Sequence, residues 1–471
     1  MSEMAVTETN RNLPTLANAS ASGAAVTEPV RIASSDGASR DSGEFIPGAQ
    51  IDLRNFLECV HCGLCTSSCP TYIELRDEND CPRGRVYLMR AVTQGQVKLD
   101  ERIRGHLTKC LDCRSCESAC PSGVHYSRLI EPFRLDLVEH EAKRFDLFRD
   151  VLLFQLFPYA GRVRLILTPV RWMQKLGIYG WLEKRGFFRW LPGRLKVMAT
   201  LVNSPVPSGP KLPESLPAKG TRRAKVAFFT GCIGDSMFRH VHWATLRVLQ
   251  ENGCEIVIPR GQGCCGAIHY HAGSREGGRK FADQNVAAFR NVLGDVDAII
   301  CNHGGCGAML QEYPNYWSDD AQEERRRFSE KVVDVNRFLD ELGLVPPQIA
   351  VKRRVTYHAS CHLAHAQGVH ESPKRLLEAI PELEAIPLDE EEICCGSAGV
   401  YNLNQPEMAQ RLLDRKVERI LATGADAVLA ANAGCLLQIE REIRRRQLPI
   451  GVFHPMELLD WSYGGSRPRL R

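Results

Sequence analysis

No stretch of this chain reaches eighteen unbroken apolar residues, which argues against an ordinary membrane-spanning helix of about twenty. The best candidate, Val151–Val170, is broken by Pro158, Arg162 and Arg164. Residues 1–44, rich in Ala, Ser, Thr and Glu, lack the apolar centre of a secretory signal and read as a disordered leader. An excess of one charge is also missing. Sixty Lys and Arg stand against 56 Asp and Glu, a net +4, so no global field draws a nucleic acid and any surface attraction must be local. The chain carries no phosphate loop and no Ser-His-Asp order, and no G-x-G-x-x-G is read as a dinucleotide-binding turn. Without those devices it is expected to hold no flavin or nicotinamide and to take no hydride itself. Cysteine, by contrast, is plentiful. Nineteen cysteines with no secretory signal point to metal ligation in a reducing compartment, where disulfides are rare.

Eight of them form two runs, Cys59-Val-His-Cys62-Gly-Leu-Cys65-Thr-Ser-Ser-Cys69-Pro70 and Cys110-Leu-Asp-Cys113-Arg-Ser-Cys116-Glu-Ser-Ala-Cys120-Pro121. Both have the C-x2-C-x2-C-x3-C-P spacing in which three thiolates hold one iron-sulfur cube and the fourth crosses to the other cube. The expected ligands are Cys59, Cys62, Cys65 and Cys120 for one [4Fe-4S] cluster, and Cys110, Cys113, Cys116 and Cys69 for the second. Zinc is the competing metal, but its tetrahedral sites take paired ligands and do not call for this spacing.

The expected order along the 471 residues is a leader at 1–44, an α-helical ferredoxin domain at 45–143, an aromatic and basic helical segment at 144–202, a Pro/Ser/Gly-rich linker at 203–222, and two repeats at 223–345 and 346–465. In the ferredoxin domain a helix opens at Pro82-Arg83-Gly84-Arg85, a second spans Ile103 to Leu111 and delivers Cys110, and a third runs from Tyr126 to Glu141. Arg83 and Arg85 are read either as cluster neighbours that raise its potential or as surface arginines. Cys81 is read as a buried or free thiol. In the segment that follows, Phe154, Trp172, Trp181, Phe188 and Trp190 interleave with Arg162, Arg164, Arg171, Lys175, Lys184 and Arg189. That pattern suits a membrane interface or a packed helical platform.

The rest is a duplication. Cys232, Cys264, Cys265 and Cys306 recur as Cys361, Cys394, Cys395 and Cys435, offset by 129 or 130 positions. Each copy starts with a strand, passes a helix to Cys-Cys-Gly, and closes with a strand and an apolar helix. The first copy has an extra charged loop at 313–330. Four thiols at strand ends, two of them adjacent, suggest an unusual iron-sulfur cluster with a bridging thiolate; a redox-active dithiol and a buried structural pair are the alternatives. His269, His271, His358, His362 and His365 lie near these cysteines as proton relays or polar neighbours. Cys254 is read as core.

Together the two runs, the Pro82-Arg83-Gly84-Arg85-Val86-Tyr87 segment, the Cys-Cys-Gly units and Cys361-His362-Leu363-Ala364-His365-Ala366-Gln367-Gly368 resemble the iron-sulfur subunit of glycolate oxidase. The resemblance implies an α+β multidomain protein, a helical ferredoxin domain followed by a duplicated α/β Cys-Cys-Gly domain. It implies two [4Fe-4S] clusters, with one or two more in the repeats, and an electron-transfer subunit of an oxidoreductase complex. Its partners would be FAD-binding glycolate oxidase subunits and a quinone or membrane acceptor, and its location cytoplasmic and peripheral on the inner membrane. Rival readings are a lactate or glycerol-3-phosphate dehydrogenase subunit, a heterodisulfide-reductase-like catalytic subunit, and a scaffold in which only the cubanes are redox-active. In the heterodisulfide reductase type each repeat ends in C-x-x-C; here His303 and Asn432 stand three residues before the last cysteine, and Cys301 is the substitute ligand available in the first copy.

Overall fold

The computed structural model describes residues 45–139, 145–191, 193–201 and 209–467. The expected leader, the start of the expected linker, and the side chains of Lys184, Phe188 and Arg189 lie outside the described residues.

Residues 45–139 are helical wherever they are regular. Pro82–Thr93 begins with proline at its first position, where the missing N–H costs nothing, and the Cys81 thiol caps it by accepting from Gly84 N at 3.3 Å. Cys81 is therefore buried and structural. Glu101–Thr108 is capped by Asp100 and stops short of Cys110, which follows in irregular chain rather than on the helix. Ser127–Glu139 completes the domain and packs Leu129, Ile130 and Phe133 against Phe56, Met89 and Leu107.

Each repeat is a small parallel sheet. In the first, β2 (Ala224–Phe228) lies between β3 (Cys254–Val257) and β4 (Ala298–Cys301), and β5 (Val332–Asp334) follows β4. The order in the second is β7 (Leu383–Ile386), β6 (Arg353–His358), β8 (Ala427–Ala430) and β9 (Gly451–Phe453), which is the same permutation. The first sheet gains an antiparallel edge strand, β1 (Ser215–Leu216), from the region expected to be plain linker; Ser215 pairs with Val257. In both sheets the first and third strands of the copy are neighbours, so the chain leaves the centre in opposite directions and opens a crevice at the strand ends.

The repeats share one core. Val226, Phe228, Leu246 and Leu249 of the first pack with Val355, Leu429, Met456 and Leu459 of the second. Arg247 clamps Asp460 across that boundary through two bonds of 2.7 and 2.6 Å. The expected charged loop at 313–330 is instead two helices, Tyr313–Tyr316 and Gln322–Ser329. They fold in because Arg325, 1% exposed, finds Asp283 at 2.7 Å and Asp319 at 2.6 Å. A buried guanidinium needs such partners.

The segment after the ferredoxin domain forms helices Leu147–Leu156, Ala160–Lys175, Ile178–Lys184 and Gly193–Leu201. Among the described residues no single helix is long and apolar enough to cross a membrane; the first two, if taken as a pair, are bent by 106°. Their basic side chains divide between the repeats and their own aromatic neighbours. Arg164 pairs with Asp235, Arg171 donates to Ser236 O at 3.1 Å, and Arg162 lies over the Tyr159 ring at 4.0 Å. Trp172, Trp181, Phe187 and Trp190 face outward, the last at 89% exposure.

Candidate iron-sulfur sites

The four sets of thiols expected from the sequence are all brought together. Cys59 lies within electrostatic reach of Cys62 and Cys120, and Cys65 of Cys59; burial raises Cys59 and pushes Cys65 up to about 11. Cys116 lies within electrostatic reach of Cys113, Cys110 and Cys69, with burial the main force holding its proton. The crossed fourth cysteines thus stand beside the opposite run. Two donors already point at Cys110 Sγ: the Asp112 N–H at 3.4 Å and the Tyr126 hydroxyl at 3.7 Å. Hydrogen bonds to a ligand sulfur stabilise its negative charge and raise a cluster's potential. Arg85 is buried, donating to His106 O at 2.8 Å and Thr71 Oγ1 at 3.1 Å, within electrostatic reach of Cys110 and Cys69. For Arg85 the surface reading is overturned. Arg83 stays partly exposed and donates to His61 O at 3.1 Å, in the turn between Cys59 and Cys62.

In the first repeat Cys232 follows β2, Cys264 and Cys265 follow β3, and Cys306 lies beyond β4, so strand order alone collects them at the crevice. Cys232 Sγ donates to Cys264 Sγ at 3.4 Å. That separation is far beyond an S–S bond, and all nineteen cysteines are free thiols. Cys264 is raised by its bonds to Cys232 and Cys265, whereas Cys265, facing Cys264 and Cys306, is held well below the usual thiol range. Gly266, at φ +92°, makes the turn; a Cβ there would sit 2.9 Å from Gly278 O. The run Gly261–Gly266 does have G-x-G-x-x-G spacing after β3, but its central pair is two buried cysteines and the helix behind it, Ala267–His271, has five residues. It is a thiol turn. Cys301, the expected substitute, ends β4 buried and donates to His303 O at 3.5 Å.

The second repeat collects Cys361, Cys394, Cys395 and Cys435 in the same way. The bond to Cys394 and burial bring Cys395 up to about 12. Asn432 Nδ2 donates to Cys435 Sγ at 3.6 Å. The two thiol loops meet back to back: Gly304 N donates to Ala431 O at 3.0 Å and Gly305 N to Asn432 Oδ1 at 3.2 Å.

Of the five histidines, His358 stands beside two of the thiols. One of its ring nitrogens and the sulfurs of Cys395 and Cys435 all lie within 4.8 Å of one another. His362 Nδ1 is 3.6 Å from Cys361 Sγ, and burial lowers that ring to about 4. His271 faces Asp112 at 3.8 Å. His269 stacks on Phe154, and His365 bonds Ser118 at 2.9 Å, so neither serves the cysteines directly.

Lys416 escaped sequence reasoning. It is 1% exposed, donates to Glu390 O at 2.5 Å and Glu391 O at 3.3 Å, and lies within electrostatic reach of Cys395, Cys394 and Cys435. Its signal was present: one lysine in the stripe Met408, Leu412, Leu413, Lys416, Val417 and Ile420 of the helix Pro406–Thr423.

The ferredoxin domain is fastened to both repeats. Arg114 joins Glu131 at 2.9 Å to Glu312 and Tyr316, while the Tyr401 hydroxyl donates to Lys109 O at 2.9 Å. Cys113 consequently packs in one buried cluster with Cys361 and Cys394.

Buried, unbridged thiols gathered in fours suit a cluster of iron and sulfide, which takes them as thiolates and removes the cost of crowding them. Comparison with known proteins agrees. A 4Fe-4S dicluster domain model matches residues 55–124, a cysteine-rich domain model matches 226–311 and 355–440, and a model of the linker region of the glycolate oxidase iron-sulfur subunit matches 146–202. A probable glycolate oxidase iron-sulfur subunit of Bacillus subtilis is 40% identical over 424 residues, covering 87% of this chain and 94% of that protein. The chain belongs to the glycolate oxidase iron-sulfur subunit family. The glycolate oxidase iron-sulfur subunit of Escherichia coli is 34% identical over 80% of this chain and 88% of its own length. Lactate utilization protein A of Geobacillus thermodenitrificans is 34% identical over half of this chain and 98% of its own length. As a member of this family the chain is an iron-sulfur electron-transfer subunit of an oxidoreductase complex, an α+β protein with a helical 4Fe-4S domain and two cysteine-rich repeats.

Proposed function

We propose that the chain carries electrons from a flavin-bearing partner that oxidises glycolate to glyoxylate towards a quinone dissolved in a membrane. Bound in the thiol sets, iron-sulfur clusters would supply one-electron chemistry; the ligands would be those collected above, Cys59, Cys62, Cys65 and Cys120, Cys69, Cys110, Cys113 and Cys116, and the four cysteines of each repeat. The observation that carries the reading is the continuity of these sets. Cys62 is exposed at the surface, Cys113 is buried, and Cys113 abuts Cys361 and Cys394 of the second repeat. The chain's own residues hold that row in place: Tyr401 and Arg114 pin the ferredoxin loops to the repeats, and the Asp112 N–H and the Tyr126 hydroxyl are set to stabilise negative charge on Cys110.

Support for a membrane acceptor comes from a cavity that the thiol sets adjoin. A cavity of about 1050 Å³, mostly apolar, lies between the helices of 147–201 and the thiol loops of both repeats. Val163, Leu167 and Met198 line it together with Cys306 and Cys435. Ile166 and Leu195 line it and are also exposed at the surface, as are Trp172 and Trp190. A lipid-soluble ring compound suits such a space, and outward aromatics suit the headgroup layer.

The test is anaerobic. Purified with its flavin partner, the complex should lose iron-sulfur absorbance on addition of glycolate and regain it with a short-chain quinone. Bleaching by L-lactate and not by glycolate would move the assignment to the lactate branch that shares half the chain.

A further inference from the structure

The two repeats collect their cysteines alike, yet the second brings a donor that the first lacks. His358 ends β6, three residues before Cys361. The matching position three residues before Cys232 is Phe229, which has no donor atom. The His358 ring is fully buried. Its Nδ1 is engaged by the Glu391 carbonyl at 3.0 Å, and its Nε2 is buried without a hydrogen-bond partner. A buried ring nitrogen left unpaired is destabilising, so the arrangement calls for an occupant. The ligand atoms of His358, Cys395 and Cys435 lie within 4.8 Å of one another, and with Nδ1 committed, Nε2 is the nitrogen left for the thiols.

We propose that His358 Nε2 is a nitrogen ligand of the iron-sulfur group held by the second repeat, so that this site is a mixed cysteine and histidine centre while the first repeat's is thiolate alone. The bond from Nδ1–H to a backbone carbonyl is what a metal-bound imidazole ordinarily makes; it fixes the tautomer and leaves the lone pair on Nε2 facing the metal. Glu391 O also accepts from Lys416 Nζ at 3.3 Å, which orients that carbonyl. His303 of the first repeat, also buried with both nitrogens unpartnered, is no equivalent: its ring is set among Phe238, His242 and His454. Replacement of thiolate by neutral imidazole raises a cluster's potential, as in centres where two histidines replace two cysteines. The second repeat would then be the more easily reduced of the two.

The proposal rests on the reading that the repeats bind iron, and the experiment separates the two. The full chain is reconstituted with ferrous iron and sulfide, reduced stepwise, and examined by pulsed EPR for hyperfine coupling to an imidazole nitrogen. His358→Cys supplies a thiol where the ring was and guards against simple loss of folding; His362→Gln tests the neighbouring ring. Wild type and His362→Gln should show the coupling, and His358→Cys should lose it while retaining wild-type iron and sulfide, its signal appearing at lower potential. Coupling that survives His358→Cys, that disappears only in His362→Gln, or that is absent from a wild-type chain holding well over about eight irons would overturn the proposal. An iron content of about eight with cubane signals alone would remove iron from the repeats and the proposal with it.

Discussion

Lys416 offers the sharpest test of the second repeat's interior. Burial lowers its pKa from the ordinary 10.5 to about 8, the nearby thiols opposing that fall. At about 1.4 kcal/mol for each tenfold change in proton affinity, the difference is worth about 3 kcal/mol. The sign follows from linkage. Below pH 8 both folded and unfolded chains hold the proton and the full cost of burying the ammonium is present. Between pH 8 and 10.5 the unfolded chain keeps a proton that the folded chain has lost, so stability rises with pH across that window. In Lys416→Met the group is gone, and two carbonyls, Glu390 O and Glu391 O, lose their donor, at about 1–3 kcal/mol. At pH 7 that loss roughly offsets the relief of the buried charge, and the two iron-free, reduced chains should unfold within about 2 kcal/mol of each other. By pH 10.5 the wild type should have gained about 3 kcal/mol on the variant. Urea titrations followed by tryptophan fluorescence at several pH values give the difference directly. Parallel stabilities from pH 7 to 10.5 would mean that the ammonium is solvated and that the second repeat has no internal cation.

Three further outcomes are expected. Serine in place of Cys264 and Cys394 should lower the iron content of the reconstituted chain while the circular dichroism spectrum stays native; unchanged iron would leave the repeats as thiol sites or scaffold. Arg85→Met should destabilise the ferredoxin domain by about 1–3 kcal/mol in chemical unfolding, because His106 O and Thr71 Oγ1 lose their donor while Asp80 keeps Lys109 at 3.1 Å; an unchanged unfolding curve would contradict the buried contacts. Joint replacement of Trp172 and Trp190 by serine should abolish flotation with anionic liposomes. Neutralising Arg164 and Arg171 should instead weaken folding, since those side chains are committed to Asp235 and Ser236; equal flotation of native and tryptophan-free chains would dismiss the membrane face.

The ferredoxin runs were readable because their chemistry is local. Three thiols within seven residues, followed by a fourth before proline, can wrap a cube by turn geometry alone. The duplication was readable for a related reason: two copies of one strand-helix pattern, with cysteines in step, fold into the same strand permutation. Helix edges were read less well. The apolar period carries a helix on to Leu111, but the helix ends at Thr108 and Cys110 lies beyond it in irregular chain. The 313–330 stretch looked like a loop because its charges hid the fact that Arg325 could be buried once Asp283 and Asp319 converged on it. In 144–202 only packing tells Arg164 and Arg171, committed to the first repeat, from Arg162 and Arg185, stacked within the segment, and buried Phe148 and Tyr179 from exposed Trp172 and Trp190.

What the amino-acid order decided by itself was the metal chemistry and the repeat, since both depend on spacings of a few residues or on copied patterns. What only tertiary structure decided is which groups stand next to those metals. His358 and Lys416 are separated by 58 positions along the chain, yet one backbone carbonyl, that of Glu391, accepts from both. Strand pairing and helix packing place them there. No local rule of sequence carries that information, because the contact is made across the sheet and not along the chain.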